Sequence, residues 1–429
     1  MTKTRRSPAA GNRDTERARE RVVVTGMGLV SPLGNSPEEL WEGLIEGRSA
    51  VRPVTRFDPG RFTCRLAAEV EAFELPDLAG PHAHEASQMD RFVQYALRAS
   101  SDAFAASRLP PERLASESGG FYLGVAMGGL ETLESGFRQQ EAEGPEKVNP
   151  YMIAATIPNM AAGMVALMFG FDGPQYTIVG GCSSGIQAIG QAVEAIRSGQ
   201  QSWALAGGTE AVITPITFSG FQAMGILTQA TGPKATPRPF DRDRDGMIVG
   251  EGAGMLVLEN RDAALARGAP ILAEVTGYAT CSVTSQPFFQ CSEATAHCME
   301  LVFEDAGIEA GELDCVYAHA GGLAGDTKEL QAIRKVCDHQ ALPAITSVKG
   351  HIGYSFAAAG PLDVIAAVLA LRGQRLSPIL HFTAPEPEYS GFDIVDRPRD
   401  QHLSHGLVNS FGLGGVTACL LVTEADHRS

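Results

Sequence analysis

One segment of the chain combines a cysteine with the kind of turn that can make it reactive. Residues 176–190 read Tyr-Thr-Ile-Val-Gly-Gly-Cys-Ser-Ser-Gly-Ile-Gln-Ala-Ile-Gly, so a strand pattern ends in two glycines and Cys182 stands where a helical pattern begins. This arrangement is similar to a nucleophile elbow. Free N–H groups and partial positive charge at a helix start favour a thiolate, the reactive form of cysteine. The Cys182 N–H could also donate to an oxyanion. The alternative is a structural cysteine, because free cysteines are commonly buried.

The other seven cysteines indicate neither a zinc site nor a disulfide framework. They are scattered and form no C-x-x-C pair, so we expect most of them to be small buried hydrophobes. They are Cys64, Cys281, Cys291, Cys298, Cys315, Cys337 and Cys419.

Charge and hydropathy exclude several classes of function. The formal net charge of −16 argues against general nucleic-acid binding, which needs clustered Lys and Arg. Residues 1–20 are polar and charged with no apolar segment after them, which predicts a disordered tail rather than a signal peptide and favours the cytoplasm. We also expect no membrane span, because no run of about 18 apolar residues stands out.

Short apolar runs alternate with longer segments of helical spacing, which predicts an α/β fold with mainly parallel sheets covered by helices. Strands are predicted at 21–25 (ending at a Gly26-Met27-Gly28 turn), 120–125, 176–179, 203–206, 254–258, 271–278, 315–318, 344–346, 406–409 and 418–422. Helices are predicted at 37–45 (with Ser36 as N-cap), 151–168, 184–197, 294–305, 327–336 and 357–371. The same order of elements occurs twice, which indicates two similar halves that divide near residues 259–269.

Five ordered motifs give the chain a resemblance that covers residues 21–424. They are the segment around Cys182, Val-Thr-Gly-Met-Gly-Leu-Val-Ser-Pro-Leu-Gly at 24–34, Ile-Pro-Asn-Met-Ala-Ala-Gly at 157–163, Arg-Pro-Phe-Asp-Arg-Asp-Arg-Asp-Gly at 238–246 with Gly-Glu-Gly-Ala-Gly at 250–254, and Asn-Ser-Phe-Gly-Leu-Gly-Gly at 409–415. With these motifs the chain resembles the elongating β-ketoacyl-acyl carrier protein synthases. The resemblance implies the thiolase fold, a duplicated αβαβα layered architecture. It suggests a tail at 1–20, an N-terminal half at 21–265 and a C-terminal half at 266–429.

The resemblance also implies a chemistry. In the family a cysteine takes an acyl group from a carrier protein thioester, and malonyl-carrier protein then loses CO2 to give a carbanion that attacks the acyl-cysteine. Cys182 matches the nucleophile and the Phe411 N–H the second oxyanion donor. His319 matches the first of two histidines that stabilise the enolate, and Lys349 matches the lysine that helps to position them. No bound cofactor is implied, because the carrier protein bears the phosphopantetheine arm.

Three departures from the family pattern affect this chemistry. The family's His-Gly-Thr-x-Thr is replaced by His-Ala-Gly-Gly-Leu-Ala-Gly-Asp at 319–326, and both threonines that would contact the phosphopantetheine arm are gone. Tyr354 stands where the second histidine belongs, and the last Gly-rich loop ends in Val416-Thr417 rather than Thr-Asn. A tyrosine hydroxyl can donate a hydrogen bond but reaches further than histidine. His351, three residues earlier, could compensate or could have only a packing role.

Three interpretations of the function follow. The chain could be an active subunit that condenses, with Tyr354 or His351 as replacement donor, or that stops at acyl transfer. It could resemble the chain-length factors of type II polyketide synthases, which partner a competent ketosynthase; Gly-Pro-Leu-Asp at 360–363 supports this, whereas the retained Cys182 argues against it. It could also be a structural scaffold with an inert cysteine.

The expected partners are an acyl carrier protein and a second ketosynthase-like subunit. A free-standing enzyme should form a homodimer and a chain-length-factor-like subunit a heterodimer, through an apolar surface that includes parts of residues 130–168. An acidic carrier protein should bind a basic patch at the tunnel mouth. Six side chains could line the tunnel or belong to the core: Met152, Met160, Met164, Phe218, Phe221 and Met224.

Overall fold

The structure is a computed structural model that describes residues 19–71, 73–75, 82–115, 118–230, 236–283, 290–337 and 341–425. The predicted disordered tail therefore lies outside the described residues except for its last two positions. Helices lie at α1 Pro37–Ile45, α2 Ala83–Ser87, α3 Arg91–Ser107, α4 Pro111–Leu114, α5 Leu130–Glu143, α6 Met152–Thr156, α7 Met160–Phe169, α8 Ser184–Arg197, α9 Pro215–Ala223, α10 Arg261–Ala266, α11 Ser292–Ala306, α12 Asp326–Val336, α13 Lys349–Ile352 and α14 Ala359–Gly373. Strands lie at β1 Val22–Val30, β2 Arg52–Pro53, β3 Leu66–Ala67, β4 Gly119–Gly124, β5 Gln175–Ile178, β6 Trp203–Glu210, β7 Gly252–Asn260, β8 Ala273–Ser282, β9 Cys315–Tyr317, β10 Ala344–Thr346, β11 Arg375–Leu376, β12 Arg399–Asp400, β13 His405–Gly412 and β14 Val416–Thr423.

Ten strands form one continuous sheet whose order reveals an internal duplication. The order is β10-β9-β13-β14-β8-β1-β7-β6-β4-β5. Counted outward from the middle, the first half runs β1, β7, β6, β4, β5 and the second half runs β8, β14, β13, β9, β10. When the strands of each half are numbered along the chain, both halves show the same spatial order: first, fifth, fourth, second, third. Within the sheet, the two halves are joined by three residue pairs between β1 and β8.

Three of the four hydrophobic cores of the described residues lie between the five layers of the fold. Helices α8 and α14 supply most of a central core that packs against strands of both halves. Helices α3 and α7 cover the outer face of the first half, whereas α11 and α12 cover the outer face of the second. The order helix, sheet, helix, sheet, helix is the predicted αβαβα thiolase architecture, and the α/β fold class is confirmed.

The expectation of mainly parallel sheets was wrong. Five neighbouring strand pairs of the large sheet are antiparallel, namely β1/β7, β1/β8, β6/β7, β8/β14 and β13/β14. The four parallel pairs lie toward the two edges. Each half therefore has a parallel outer part and an antiparallel part that faces the middle.

The glycines of β1 serve close packing rather than a turn. The strand runs through Gly26 and Gly28 to Val30, so the prediction that it ends there was wrong. A methyl group on Gly26 would lie 2.3 Å from Ala103 O, and one on Gly28 would lie 2.1 Å from Ala99 O. Glycine is needed here because α3 packs directly on the strand.

One segment, 356–373, is long and apolar enough to cross a membrane by length and composition, although the sequence analysis found no such run. It contains α14, and 83% of it is buried inside the protein. Its apolar character follows from its place in the central layer, where both faces of the helix meet a sheet.

Candidate active site

Two glycines and two serines shape the turn that carries Cys182. Gly181 has φ +62, in the left-handed region that favours glycine. The Ser184 hydroxyl accepts from the Gly180 N–H at 2.9 Å and reaches Val125 O at 3.2 Å, so the turn is fastened to the end of β4. The Ser183 hydroxyl donates to Gly180 O at 2.8 Å. Cys182 is thereby held, half-buried, two residues before α8 begins, as the sequence predicted.

Cys182 opens onto a cavity of about 360 Å³ at the junction of the two halves. Its lining includes Cys182, His319, Tyr354 and the Phe411 segment, together with the charged side chains of Arg244, Asp245 and Asp326. The structure thus brings together four of the five predicted site residues, and it places Lys349 outside the lining. The remainder of the lining is largely apolar and includes Phe221, Met224, Ile226, Met247, Val283, Leu323, Phe356, Leu413 and Val416.

Hydrogen bonds join three of the four predicted residues that line the cavity. The Phe411 N–H donates to His319 Nδ1 at 3.1 Å, and His319 Nε2 lies 3.0 Å from the Tyr354 hydroxyl. Cys182 lies in the same cavity wall, and the Tyr354 hydroxyl lowers the pKa of its thiol. The Phe411 N–H was predicted as an oxyanion donor, but in this structure it is engaged by His319.

Burial governs the ionisation of these groups. It raises the pKa of the Cys182 thiol to about 11, despite the hydrogen bond from Tyr354, which lowers it. The backbone N–H groups of Leu413 and Cys182 lower the pKa, which is the direction expected of a helix start, but desolvation of the charge is the larger effect. Burial and then the nearby Lys349 charge hold the pKa of His319 well below its usual 6.5, so the imidazole is neutral. The pKa of Tyr354 is raised well above 10 by burial and by Cys182, so the phenol keeps its proton.

Lys349 lies behind the site. Its side chain is 1% exposed, and its Nζ donates to Ala318 O at 2.7 Å and pairs with the Asp363 carboxylate. Ala318 directly precedes His319, so the ammonium group fixes the chain that carries the histidine. Lys349 thus contacts the chain next to His319, and Asp363 compensates its charge.

Two further carboxylates position the shortened loop after His319 and were missed in the sequence analysis. Asp326 accepts N–H groups from Gly322 at 2.9 Å and Leu323 at 3.2 Å. Glu329 accepts the His319 N–H at 3.1 Å and the Asn409 amide at 2.9 Å, so it joins this loop to β13. Burial raises the pKa of Asp326 to about 6 and that of Glu329 to about 7. The available signal was a pair of acids in the first turn of a helix that follows a glycine-rich loop.

His351 does not belong to the site. It is fully buried, and its Nδ1 and Nε2 lie 2.9 Å from Arg48 O and 2.8 Å from Pro378 O, away from the cavity. The idea that it replaces the missing histidine was wrong, because both ring nitrogens face backbone carbonyl oxygens of separate loops. Among the predicted tunnel residues, Phe221 and Met224 line the cavity, whereas Phe218 and Met164 lie in hydrophobic cores.

The Arg238–Gly246 motif is structural in its contacts. Asp241 accepts the Thr383 N–H and hydroxyl and the Ala384 N–H, and Arg244 donates to Leu323 O at 2.8 Å. Arg244 also pairs with Glu386 at 2.7 Å. The motif therefore ties the first half of the chain to the loop after His319 and to the segment 383–386.

A cysteine at a helix start, faced by a histidine and a tyrosine across a cavity between two duplicated α/β halves, defines a thiolase-fold protein. The comparisons with known proteins narrow this class. The protein-family model "Beta-ketoacyl synthase, N-terminal domain" matches residues 19–264, and the family model "Beta-ketoacyl synthase, C-terminal domain" matches residues 272–383. The chain belongs to the β-ketoacyl synthase family.

Its relatives include the 3-oxoacyl-[acyl-carrier-protein] synthase 2 of Synechocystis sp., 35% identical over 408 residues, which cover 94% of this chain and 97% of the relative. The protein of the same name from Staphylococcus aureus strain COL is 33% identical, with coverage of 94% and 98%. Among solved structures, the ishigamide ketosynthase/chain length factor superposes with a TM-score of 0.88 at 33% identity, covering 95% of this chain and all of that chain. A β-ketoacyl synthase from Burkholderia phymatum superposes with a TM-score of 0.87 at 30% identity, with the same coverage.

Proposed function

We propose that this chain is a ketosynthase-type subunit of a type II polyketide or fatty acid synthase, which takes an acyl group from an acyl carrier protein onto Cys182. The observation that carries the proposal is the position of the Cys182 thiol, at a helix start and in the wall of a largely apolar cavity. The names of the relatives support an acyl carrier protein as donor. A solved neighbour, 26% identical with a TM-score of 0.87, is a type II PKS acyl-carrier protein in complex with its ketosynthase.

The proposed transfer is a thioester exchange. The Cys182 sulfur attacks the acyl carbonyl carbon, the new carbon–sulfur bond forms, and the bond to the carrier sulfur breaks. The thiol proton ends on the carrier's phosphopantetheine sulfur, so no external reductant or cofactor is required. Splitting the overall condensation through this covalent intermediate divides one difficult step into two easier ones.

We further propose that the subunit condenses, with an altered decarboxylation site. When malonyl-carrier protein loses CO2, negative charge develops on the thioester oxygen and needs hydrogen-bond donors. His319 is neutral, and Tyr354 holds the position that a second histidine has in the family. Both side chains face the cavity that contains the Cys182 sulfur, which supports Tyr354 as the second donor.

A role as a chain-length-factor-like partner is the second candidate, and one feature of the site favours it. The Cys182 thiol has a pKa of about 11, and the Phe411 N–H is engaged by His319. The resting site thus combines a neutral thiol with one occupied oxyanion donor. In this alternative a second, competent ketosynthase would carry out the chemistry. A transferase that does not condense and an inert scaffold are the remaining alternatives.

An exposed apolar surface supports association with a second subunit. We call it the β5 face, because it surrounds the edge strand β5 of the large sheet. Its exposed side chains are Leu133, Phe137, Ile153, Ile157, Leu167, Tyr176 and Val179. Single exposed apolar side chains are normal on a protein surface, but seven large ones around one sheet edge form a cluster. Such clusters mark interaction sites. We propose that this face forms the homodimer or heterodimer contact, in the cytoplasm.

The division into halves at 265/266 stays a prediction.

The proposal is tested by intact-protein mass spectrometry. The purified chain is mixed with acyl-carrier protein, beside the variants Cys182→Ala and Cys291→Ala, the latter a half-buried cysteine outside the cavity. We expect an added acyl mass on the wild type and on Cys291→Ala but not on Cys182→Ala. Extension after malonyl-carrier protein is added would support condensation. No acylation of the free chain, but activity after a competent ketosynthase is added, would favour the partner role.

A further inference from the structure

We propose that Tyr354 acts on the Cys182 sulfur as a fixed hydrogen-bond donor, and that the Phe411 N–H sets its direction through His319. This reassigns two groups: the Phe411 N–H serves the histidine rather than an oxyanion, and the Tyr354 hydroxyl serves the sulfur before any second substrate is bound. For its catalytic meaning the inference rests on the proposed acyl transfer at Cys182, whereas its test does not require a carrier protein.

The contacts of His319 determine its tautomer. A backbone N–H can only donate, so the 3.1 Å contact between the Phe411 N–H and Nδ1 requires Nδ1 to be an acceptor without a proton. The imidazole is neutral, because burial and Lys349 oppose its protonation. A neutral imidazole carries its one proton on the other nitrogen, so Nε2 is the N–H donor.

The tautomer of His319 in turn determines the direction of the Tyr354 hydroxyl. His319 Nε2 lies 3.0 Å from the Tyr354 oxygen, so the N–H of Nε2 donates to that oxygen. The hydroxyl proton therefore cannot point back at the histidine and is free to point to the Cys182 sulfur, which lies in the same cavity wall. The backbone of Tyr354 is held on both sides, by Ile248 O at 2.8 Å and the Gly250 N–H at 2.9 Å, so the ring cannot withdraw without a backbone shift.

Two charged groups act on the sulfur and on the histidine near it. Glu210, at the end of β6, disfavours a thiolate, and Lys349 acts on His319 from behind the site. Arg244 also lines the cavity, but its guanidinium is held by Asp241 O, Leu323 O and the Glu386 carboxylate, so the Tyr354 hydroxyl is the side-chain donor that favours the thiolate. Tyr354 is therefore assigned as a catalytic residue that donates to the reacting sulfur, and His319 and Phe411 as positioning residues.

This arrangement has a role in acyl transfer. As the Cys182 sulfur attacks the carbonyl carbon, it loses its proton, and the phenol donor stabilises the negative charge on sulfur during that loss. The hydroxyl keeps its own proton, because the pKa of Tyr354 is raised well above 10. Once the sulfur is acylated it becomes a weak acceptor, so the same hydroxyl becomes available to the second substrate.

The test is the pH profile of alkylation of Cys182 by iodoacetamide, followed by intact-protein mass spectrometry. Only the thiolate reacts, so the profile reports the thiol pKa. We expect Tyr354→Phe to move the profile up by about one pH unit, which is about tenfold less alkylation at any pH below the pKa. His319→Asn should shift the profile in the same direction, because the phenol loses the donor that orients it. Tyr122→Phe, a buried tyrosine on β4 outside the cavity, is the matched control and should leave the profile unchanged.

Two results would overturn the inference. An unchanged profile in a folded Tyr354→Phe protein would mean that the tyrosine only packs. Nitrogen NMR of 15N-histidine-labelled protein that finds the proton of His319 on Nδ1 would contradict the direction of the chain. Absence of acylation by carrier protein, together with the expected alkylation shift, would reject the proposed function and leave this inference standing.

Discussion

Lys349 and Asp363 form an ion pair in which each side chain is 1% exposed. The pair joins the strand that leads to His319 to the central helix α14. Burial raises the pKa of Asp363 to about 6, and the Lys349 charge opposes this effect. Neither residue lines the cavity, and Lys349 donates to Ala318 O, so the pair holds the chain behind the site. Buried pairs of this kind contribute little net stability, but loss of one partner leaves the other charge unpaired.

Removal of Asp363 alone should therefore destabilise the protein strongly. We expect Asp363→Leu to lower the free energy of unfolding by about 3–5 kcal/mol, because Lys349 would remain buried without a partner. The double variant Lys349→Met with Asp363→Leu should recover most of this loss. Urea unfolding followed by circular dichroism measures both. Asp393→Leu, which breaks an exposed pair with Arg399, is the control and should cost at most about 1 kcal/mol. A double variant no more stable than Asp363→Leu would contradict the argument.

Glu329 should make stability depend on pH. Its pKa is about 7 in the folded protein and 4.5 without the protein environment, so the folded state favours the protonated form. Its contribution is therefore complete below pH 4.5 and is lost as pH rises through 7, so unfolding should become easier from pH 5 to pH 8. A shift of this size corresponds to about 3 kcal/mol at most.

Glu329→Gln tests this pH dependence. Glutamine keeps an acceptor for the His319 N–H and cannot ionise. Its NH2 group would replace the oxygen that accepts the Ala320 N–H at 3.2 Å, so some stability should be lost at every pH. We expect a flatter stability profile between pH 5 and pH 8, with a residual slope from Glu210, whose pKa is also raised to about 7. Glu300→Gln, an exposed change on α11, should keep the wild-type slope. The explanation fails if Glu329→Gln keeps that slope as well.

Local sequence signals correctly predicted the first and last residues of some helices. The bounds of α1 and α8 were correct because each depends on a nearby start signal and on helical spacing within one segment. The β1 glycines were misread because their reason is the approach of α3, which lies about 70 residues further along the chain. Helix α3 itself was not predicted from its own segment.

The site was predictable in its members but not in its contacts. Cys182, His319 and Tyr354 were found by their places in motifs, and they meet in one cavity. The bond from the Phe411 N–H to His319 joins β13 to the loop after β9, and sequence spacing carries no information on such a pairing. The direction of His351 was likewise open, because a histidine in a loop can turn to either side of the chain.

Gly185 should be essential for the elbow. A methyl group there would lie 2.3 Å from Ala357 O and 2.4 Å from Pro361 Cδ, so α8 would be forced away from α14. We expect Gly185→Ala to destabilise the protein by about 1–3 kcal/mol and to slow alkylation of Cys182, because the helix start moves. Gly220→Ala in α9 meets nothing within 4 Å and should be stabilising by about 0.5–1 kcal/mol. Thermal unfolding of both variants gives the comparison, and equal stability of the two would refute it.

The β5 face should determine the oligomeric state. Ile153 is 66% exposed in the middle of this face, and a charge placed there would be desolvated in any dimer. We expect Ile153→Glu to convert a dimer to a monomer in light scattering at micromolar concentration, with unchanged circular dichroism. Leu265→Glu, at an exposed leucine on α10 outside this face, should remain dimeric. A wild type that is monomeric at all concentrations, or a dimeric Ile153→Glu, would place the contact elsewhere.

His351 should prove structural and not catalytic. Its ring joins the carbonyls of Arg48 and Pro378, and His351→Phe would leave at least one of these buried oxygens without a donor. The expected cost is about 1–3 kcal/mol in the free energy of unfolding. Acylation of Cys182 per folded molecule should stay at the wild-type level, because no atom of His351 faces the cavity. Unfolding and acylation measured on the same preparation separate the two roles: a stable protein that no longer acylates would return His351 to the chemistry, whereas an unstable protein that still acylates fits the contacts found here.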